Sequence, residues 1–270
     1  MKQNLHTHTT FCDGADTPEE MIERASELGF DSLGFSIHSN MRPNYYAPTP
    51  SPNVIPAYCD CIRELKEKYR GRLEIFLGIE SDLLYTGSLE GFDYLIGSVH
   101  YLLIDGHRVP FDRSAEHVRM VLNDFFGGDG MAFAKSYYEH LAKLPERAKF
   151  DIIGHFDLVT KHADKVKFFD ENAREYYDAA FEAASALAGK IPFFEVNTGA
   201  ISRGYRKTPY PAIPILKELK RLGFGAVITT DCHDRRYLDA SYEDARLLLL
   251  EAGFKEHYLL TRSGFKADRL

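Results

Sequence analysis

The chain has 270 residues, 44% apolar and 27% charged, with 40 acidic against 33 basic side chains and a formal charge of −7. That balance excludes an electrostatic nucleic-acid binder, since phosphate-backbone affinity comes from clustered Lys and Arg, and at first sight it disfavours any anionic partner. No apolar run reaches the ~18 residues of a membrane span, and the start MKQNLHTHTT lacks the basic-then-apolar layout of a secretory signal, so a cytoplasmic location is expected.

In chain order, a weak β-prone stretch over 2–8 (KQNLHTH) comes first. Thr17, Pro18 and Glu20 then read as N-cap, first-turn proline and capping-box acid of a helix striped by Met21, Ile22, Ala25 and Leu28 and ended by Gly29. An apolar run at 32–38 (SLGFSIH) is followed by a helical pattern over 54–69 and by runs at 73–80 (LEIFLGIE) and 94–100 (YLIGSVH). The long connection 101–149 holds two helical patterns, 114–126 and 131–147, around the turn GGDG. Runs at 151–157 (DIIGHFD), 192–197 (PFFEVN) and 226–233 (AVITTDCH) then alternate with helical patterns at 170–188, 211–222 and 240–252. Runs that are apolar throughout suit strands buried on both faces of a parallel sheet. About seven strand-helix units without a linker or repeat predict an α/β fold: one domain over 1–270, a closed or nearly closed TIM-type barrel, with a doubly wound open sheet as the alternative. The helical insertion after the fourth strand is expected to form a lid over the barrel mouth.

The runs end in metal-competent residues: His38, Glu80, His100, His155, Asn197 and Asp231. In a barrel these C-terminal strand ends converge on one mouth. His6-x-His8 and Asp231-x-His233 each add two side chains at a spacing of two, which a strand presents on one face. Imidazole and carboxylate together suit Zn, Mn or Fe. Leaving Asn197 aside and counting Asp13 in the loop after His8, nine candidates (His6, His8, Asp13, His38, Glu80, His100, His155, Asp231 and His233) exceed what one ion can use, so two or more are expected, with Glu80 as the bridging carboxylate. His107, His117, His140, His162 and His257 lie outside the pattern. Cys12, Cys59, Cys61 and Cys232 form no disulfide framework and are read as free thiols.

The segments HTHTTFCDG, LGIESD, GSVHYL, GHFD and TTDCH, with the strand end at His38, resemble the PHP (polymerase and histidinol phosphatase) superfamily over residues 4 to 233. The chain length, the insertion after His100 and the segment EVNTGAISRGYRKTPYP resemble its histidinol-phosphate phosphatase branch. The resemblance implies a distorted (β/α)7 barrel with up to three divalent ions. His6, His8, Glu80 and Asp231 would hold one, Glu80, His100 and His155 a second, and Asp13, His38 and His233 a third. It implies hydrolysis of L-histidinol phosphate by metal-activated hydroxide, without a phosphoenzyme, and with Asp231 or, preferably, His233 passing a proton to the leaving oxygen.

Arg203, Arg206 and Lys161 are the candidates for phosphate contact, because guanidinium and ammonium groups complement phosphate oxygens. Asn197 and Asp157 are candidates to orient ligands, and Asp105 and Asp112 to face the substrate's amine or imidazole. Three ions against three ionised ligands would make the site locally positive, which reconciles an acidic chain with an anionic substrate. Three other readings stand beside this one: a phosphoesterase of nucleotides or nucleic-acid ends, an amidohydrolase-like metal hydrolase, and a non-enzymatic metal-binding protein. The missing basic aromatic groove weighs against the first, the lack of a strand-end Lys against the second, and the complete ligand set against the third.

Overall fold

The structure, a computed structural model, describes residues 1–39 and 54–270. Its strands are β1 (Gln3–Asn4), β2 (Ser32–His38), β3 (Glu74–Asp82), β4 (Tyr94–Ser98), β5 (Tyr101–Ile104), β6 (His107–Pro110), β7 (Ile152–Ile153), β8 (Phe193–Asn197), β9 (Gly225–Thr229), β10 (Glu256–Thr261) and β11 (Gly264–Arg269). Its helices are α1 (Pro18–Glu27), α2 (Ile55–Lys68), α3 (Ala115–Phe126), α4 (Gly130–Leu141), α5 (Leu144–Arg147), α6 (Arg174–Leu187), α7 (Gly199–Ser202), α8 (Ile213–Arg221) and α9 (Tyr242–Glu251).

Seven strands pair in parallel in the order β1-β2-β3-β4-β7-β8-β9. The two edges meet at a parallel bridge between Thr7 and Cys232, where His8 N–H donates to Cys232 O (2.8 Å) and Cys232 N–H to His6 O (3.1 Å). The result is a nearly closed TIM-like barrel, the architecture expected from the alternating runs. All seven anticipated strands are present, although β1 and β7 keep only two paired residues each.

Burial explains why the runs are apolar on both faces. Outward-facing Leu33, Phe35, Ile37, Ile75, Leu77 and Ile79 pack with Met21 and Ile22 of α1 and Ile62 of α2. Inward-facing Phe76, Tyr94, Ile96, Ile152 and Val227 join Leu5 inside the barrel. The Tyr94 ring fills space left by two glycines, since a Cβ on Gly78 would lie 2.2 Å from Tyr94 Cζ and one on Gly34 2.5 Å from its hydroxyl. That hydroxyl donates to Leu5 O and Phe35 O.

One end of this interior is sealed by the antiparallel hairpin β10–β11, for which the sequence reading assigned no strand. Leu260 enters the interior cluster, and the Gln3 amide exchanges hydrogen bonds of 2.8 Å with the Leu260 backbone in both directions. Polar side chains therefore collect at the other end.

The 101–149 insertion contains the two expected helices, preceded by an unanticipated antiparallel hairpin, β5–β6. The pattern over 131–147 divides into α4 and α5, with Pro145 inside the first turn of the second. Phe133, Tyr137 and Leu141 of α4 are fully buried in the main helical core, so α4 builds the barrel wall.

Candidate metal centre

The inward face of β3 ends in Phe76, Gly78, Glu80 and Asp82, which is how an acid comes to lie 1% exposed above an apolar interior. The two oxygens of Glu80 face different partners. Oε1 lies 2.8 Å from His155 Nε2, 3.3 Å from His100 Nε2 and 2.8 Å from the Ser98 hydroxyl. Oε2 lies 2.8 Å from His38 Nδ1, 3.2 Å from His6 Nε2 and 3.6 Å from His8 Nε2. Burial opposes ionisation of Glu80, but His6, His100 and His38 hold its pKa well below the usual carboxylate range.

The barrel seam supplies the next group. Asp231 Oδ1 is 3.3 Å from His8 Nε2 and 3.6 Å from His6 Nε2. His8 stacks between His38 and His233, with ring centroids 4.1 and 4.2 Å away. Burial, then the neighbouring His38 and His233, push His8 down to about 3, so it is neutral with a free lone pair. For His6 and His38 burial acts in the same downward direction, yet the surrounding carboxylates raise both well above the usual value. His100 is raised to about 10 against its burial, by Glu80 and Asp82. Asp13 comes from its loop to within 3.4 Å of His38 Nε2 and 3.3 Å of His233 Nε2.

These donors suit divalent ions. Among the described residues three sets have ligand atoms mutually within 4.8 Å: His8, Asp13, His38 and His233; His6, His8 and Asp231; and His38, Glu80 and His100. Among the described residues His6 Nε2, His8 Nε2 and Glu80 Oε2 are buried without a hydrogen-bond partner, despite lying 3.2 to 3.6 Å apart across His–Glu pairs. Convergent lone pairs without hydrogen-bond geometry are the arrangement a cation satisfies. The grouping differs from the sequence expectation in three respects: His8 also joins the Asp13 set, Glu80 groups with His38 and His100 rather than with His6, His8 and Asp231, and His155, though 2.8 Å from Glu80 Oε1, falls outside all three sets.

All nine expected ligands thus converge at the β-strand C-termini. Seven of them, all but the buried His6 and His8, border a cavity of about 710 Å³ that also exposes Phe11, Tyr101, Asp112, Lys161, Arg203 and Tyr205. Arg203, in the turn after α7, donates to Asp231 Oδ2, Asp231 O and His233 Nδ1, each at 2.7 Å. Lys161 Nζ is 2.8 Å from Asp112 Oδ2. Arg206 does not reach the cavity: its guanidinium is engaged by Glu171 (2.8 Å), Asp164 (3.5 Å) and Thr160 O (2.8 Å), which corrects the expectation that it binds phosphate. Asp105 lies exposed in the β5–β6 turn, outside the cavity.

The insertion is only in small part a cover. Tyr101, Pro110, Asp112 and Arg113, at the ends of its hairpin, line the cavity, whereas α3, α4 and α5 contribute nothing to it. The Cys232 thiol bonds Asp234 O at 3.0 Å, and burial pushes it up to about 12; the Cys12 thiol lies 3.5 Å from His8 Nδ1. Asp157 carries no ligand contact, its Oδ2 accepting from Ala212 N–H at 3.0 Å, and burial raises its pKa to about 6.

Two acids were missed. Asp82 accepts the His100 amide at 2.7 Å and lies 3.6 Å from its Nδ1. Glu195, fully buried, lies 2.8 Å from His6 Nδ1. Each stands two residues from a candidate of the sequence, Glu80 or Asn197, and so on the same strand face; that spacing is the available signal.

The PHP domain family model matches residues 4–199. The chain is 26% identical to a protein of Schizosaccharomyces pombe named "Probable histidinol-phosphatase", over 94% of this chain and 87% of the relative. It is also 26% identical to a Bacillus subtilis protein named histidinol-phosphatase, over 90% of this chain and 97% of that one. A Lactococcus lactis histidinol phosphate phosphatase, crystallised with zinc, L-histidinol and phosphate, superposes with a TM-score of 0.73 at 22% identity, covering 98% of both chains. That likeness is one of fold.

Proposed function

This chain belongs to the PHP domain family, and on that premise we propose that it is a metal-dependent phosphatase that hydrolyses L-histidinol phosphate to L-histidinol and phosphate. The observation that carries the reading is Glu80, whose two oxygens serve separate histidine sets beneath a cavity lined by Arg203 and Lys161. The names of the relatives supply the substrate.

His6, His8, Glu80 and Asp231 would hold one divalent ion, Glu80, His100 and His155 a second, and Asp13, His38 and His233 a third, with Zn, Mn or Fe suited to this donor set. When bound, such ions supply Lewis acidity and a hydroxide near neutral pH. The protein's own groups do the rest. Arg203 would face the phosphate with the part of its fork not turned to Asp231, and Lys161, paired with Asp112, lines the same cavity. Arg203 also fixes Asp231 and His233, and of these two His233 is the group to pass a proton to the leaving oxygen, because Asp231 is held ionised beside Arg203. Phe11, Tyr101 and Tyr205 line the cavity as aromatic surface for an imidazole-sized group. Among the described residues no helix is long and apolar enough to cross a membrane, and the proposed place of action is the cytoplasm, with no nucleic-acid partner.

Purified protein loaded with Zn, Mn or Fe is expected to release phosphate from histidinol phosphate far faster than from AMP or p-nitrophenyl phosphate. Equal or reversed preference would remove this substrate. Glu80→Ala is expected to lose metal and activity together, and full metal content in that variant would defeat its bridging role.

A further inference from the structure

Glu195 lies on β8, 0% exposed, below the proposed ligands. Its carboxylate has four polar neighbours. Oε2 is 2.8 Å from His6 Nδ1 and 2.8 Å from the Thr229 hydroxyl. Oε1 accepts the His155 amide and the Asn197 side-chain amide, each at 2.7 Å. A carboxylate has about four lone-pair directions and no proton to give when ionised, so every partner must donate. His6 must then carry its proton on Nδ1, which leaves the Nε2 lone pair turned toward Glu80 and Asp231. The remaining bonds tie two further segments to the same group, the end of β9 through Thr229 and the His155 backbone just after β7, and add Asn197 at the end of β8 itself. Asn197 Oδ1 in turn accepts Gly199 N–H at the start of α7, the helix that leads into Arg203.

We propose that Glu195 is a positioning residue that sets the Nδ1–H tautomer of His6 and fixes the backbone of His155, so that one buried carboxylate prepares ligands on both sides of Glu80. The inference rests on His6 and His155 being ligands. Partners of this kind typically change metal affinity 10- to 100-fold when altered.

In Glu195→Gln the amide N–H₂ must face a donor. The His6 ring then has to offer Nδ1 as acceptor and move its proton to Nε2. Chelator-competition titrations with Zn are expected to show affinity lowered about 10- to 100-fold, with thermal unfolding of the metal-free variant still cooperative; Glu195→Asp, which keeps the charge, is expected to fall between it and wild type. Nitrogen-15 histidine spectra of Zn-loaded wild type are expected to show His6 protonated at Nδ1. An Nε2–H tautomer there, or Zn affinity of Glu195→Gln within threefold of wild type, would overturn the proposal. If Glu195→Gln does not fold, the wild-type spectrum decides. Wild-type Zn affinity in His6→Ala would overturn the ligand assignment itself, whereas loss in His6→Ala without loss in Glu195→Gln would overturn the role of Glu195 alone.

Discussion

Replacing Arg203 by Met keeps much of the side-chain volume and removes three hydrogen bonds, to Asp231 Oδ2, Asp231 O and His233 Nδ1, each of 2.7 Å. The bond to the ionised Asp231 is worth about 1.5–3 kcal/mol and each of the others about 1 kcal/mol, so the gross loss is about 3–5 kcal/mol. Arg203 is 25% exposed, and Asp231 and His233 border the cavity; water entering there restores part of that loss. A net loss of about 2–3 kcal/mol corresponds to a fall of about 30- to 150-fold in kcat/KM. Both KM and kcat are expected to change, KM because a cation leaves the cavity wall and kcat because Asp231 and His233 are no longer fixed. Arg203→Lys restores the charge but cannot span three acceptors, so it is expected to recover KM more than kcat. The assay is steady-state phosphate release from histidinol phosphate, with metal content measured on the same samples. A kcat/KM within threefold of wild type in fully loaded Arg203→Met would refute this account.

Gly78→Ala would place a Cβ 2.2 Å from Tyr94 Cζ, and because the hydroxyl is tied to Leu5 O and Phe35 O the ring cannot retreat. Denaturant unfolding is expected to show a loss of about 1–3 kcal/mol, largely recovered in Gly78→Ala/Tyr94→Leu; an unchanged midpoint would sink the packing argument. His6, His38 and His100 have raised pKa values in the metal-free protein, so protons occupy the site at neutral pH and metal must displace them. Metal affinity should therefore rise with pH, with proton release visible by calorimetry in buffers of different ionisation enthalpy. For His100, folded near 10 against about 6.5 unfolded, the stabilisation is complete below about 6.5 and lost as pH rises toward 10. Thermal midpoints of metal-free protein should fall across that window, and a flat profile would contradict it. With its thiol pushed up to about 12, Cys232 should resist alkylation of the native protein at pH 8, as mass spectrometry of the labelled protein can check; rapid labelling there would refute its burial.

The parts of the fold legible in the sequence are those where burial dictates composition. SLGFSIH and LEIFLGIE are apolar on both faces because helices cover one side and the barrel interior the other, and their closing His38 and Glu80 stood out against that background. Glu195 and Asp82 do not, because each lies two positions from the polar residue, Asn197 or Glu80, that closes its apolar run. Arg206 illustrates a different limit. Its acid partners, Glu171 and Asp164, are brought to it only by the chain's return across the barrel, and no local pattern marks a basic loop residue as already neutralised. The hairpin β10–β11 is not legible in the sequence because its exposed strand alternates too weakly to stand out from a polar tail.

The seam between β1 and β9 has a consequence for how the molecule holds together. The backbone hydrogen bonds that close the barrel, between His6, His8 and Cys232, lie in the same two short segments that carry His6, His8, Asp231 and His233. An ion gripping both segments is therefore a cross-link between positions more than 220 residues apart in the sequence. In the chain-entropy description a tie of that span restricts the unfolded chain by roughly 5 kcal/mol. Chelation should then act as a loss of cyclisation: amide hydrogens of His8 and Cys232 would exchange earliest, and the first and last strands would part before the middle of the sheet does.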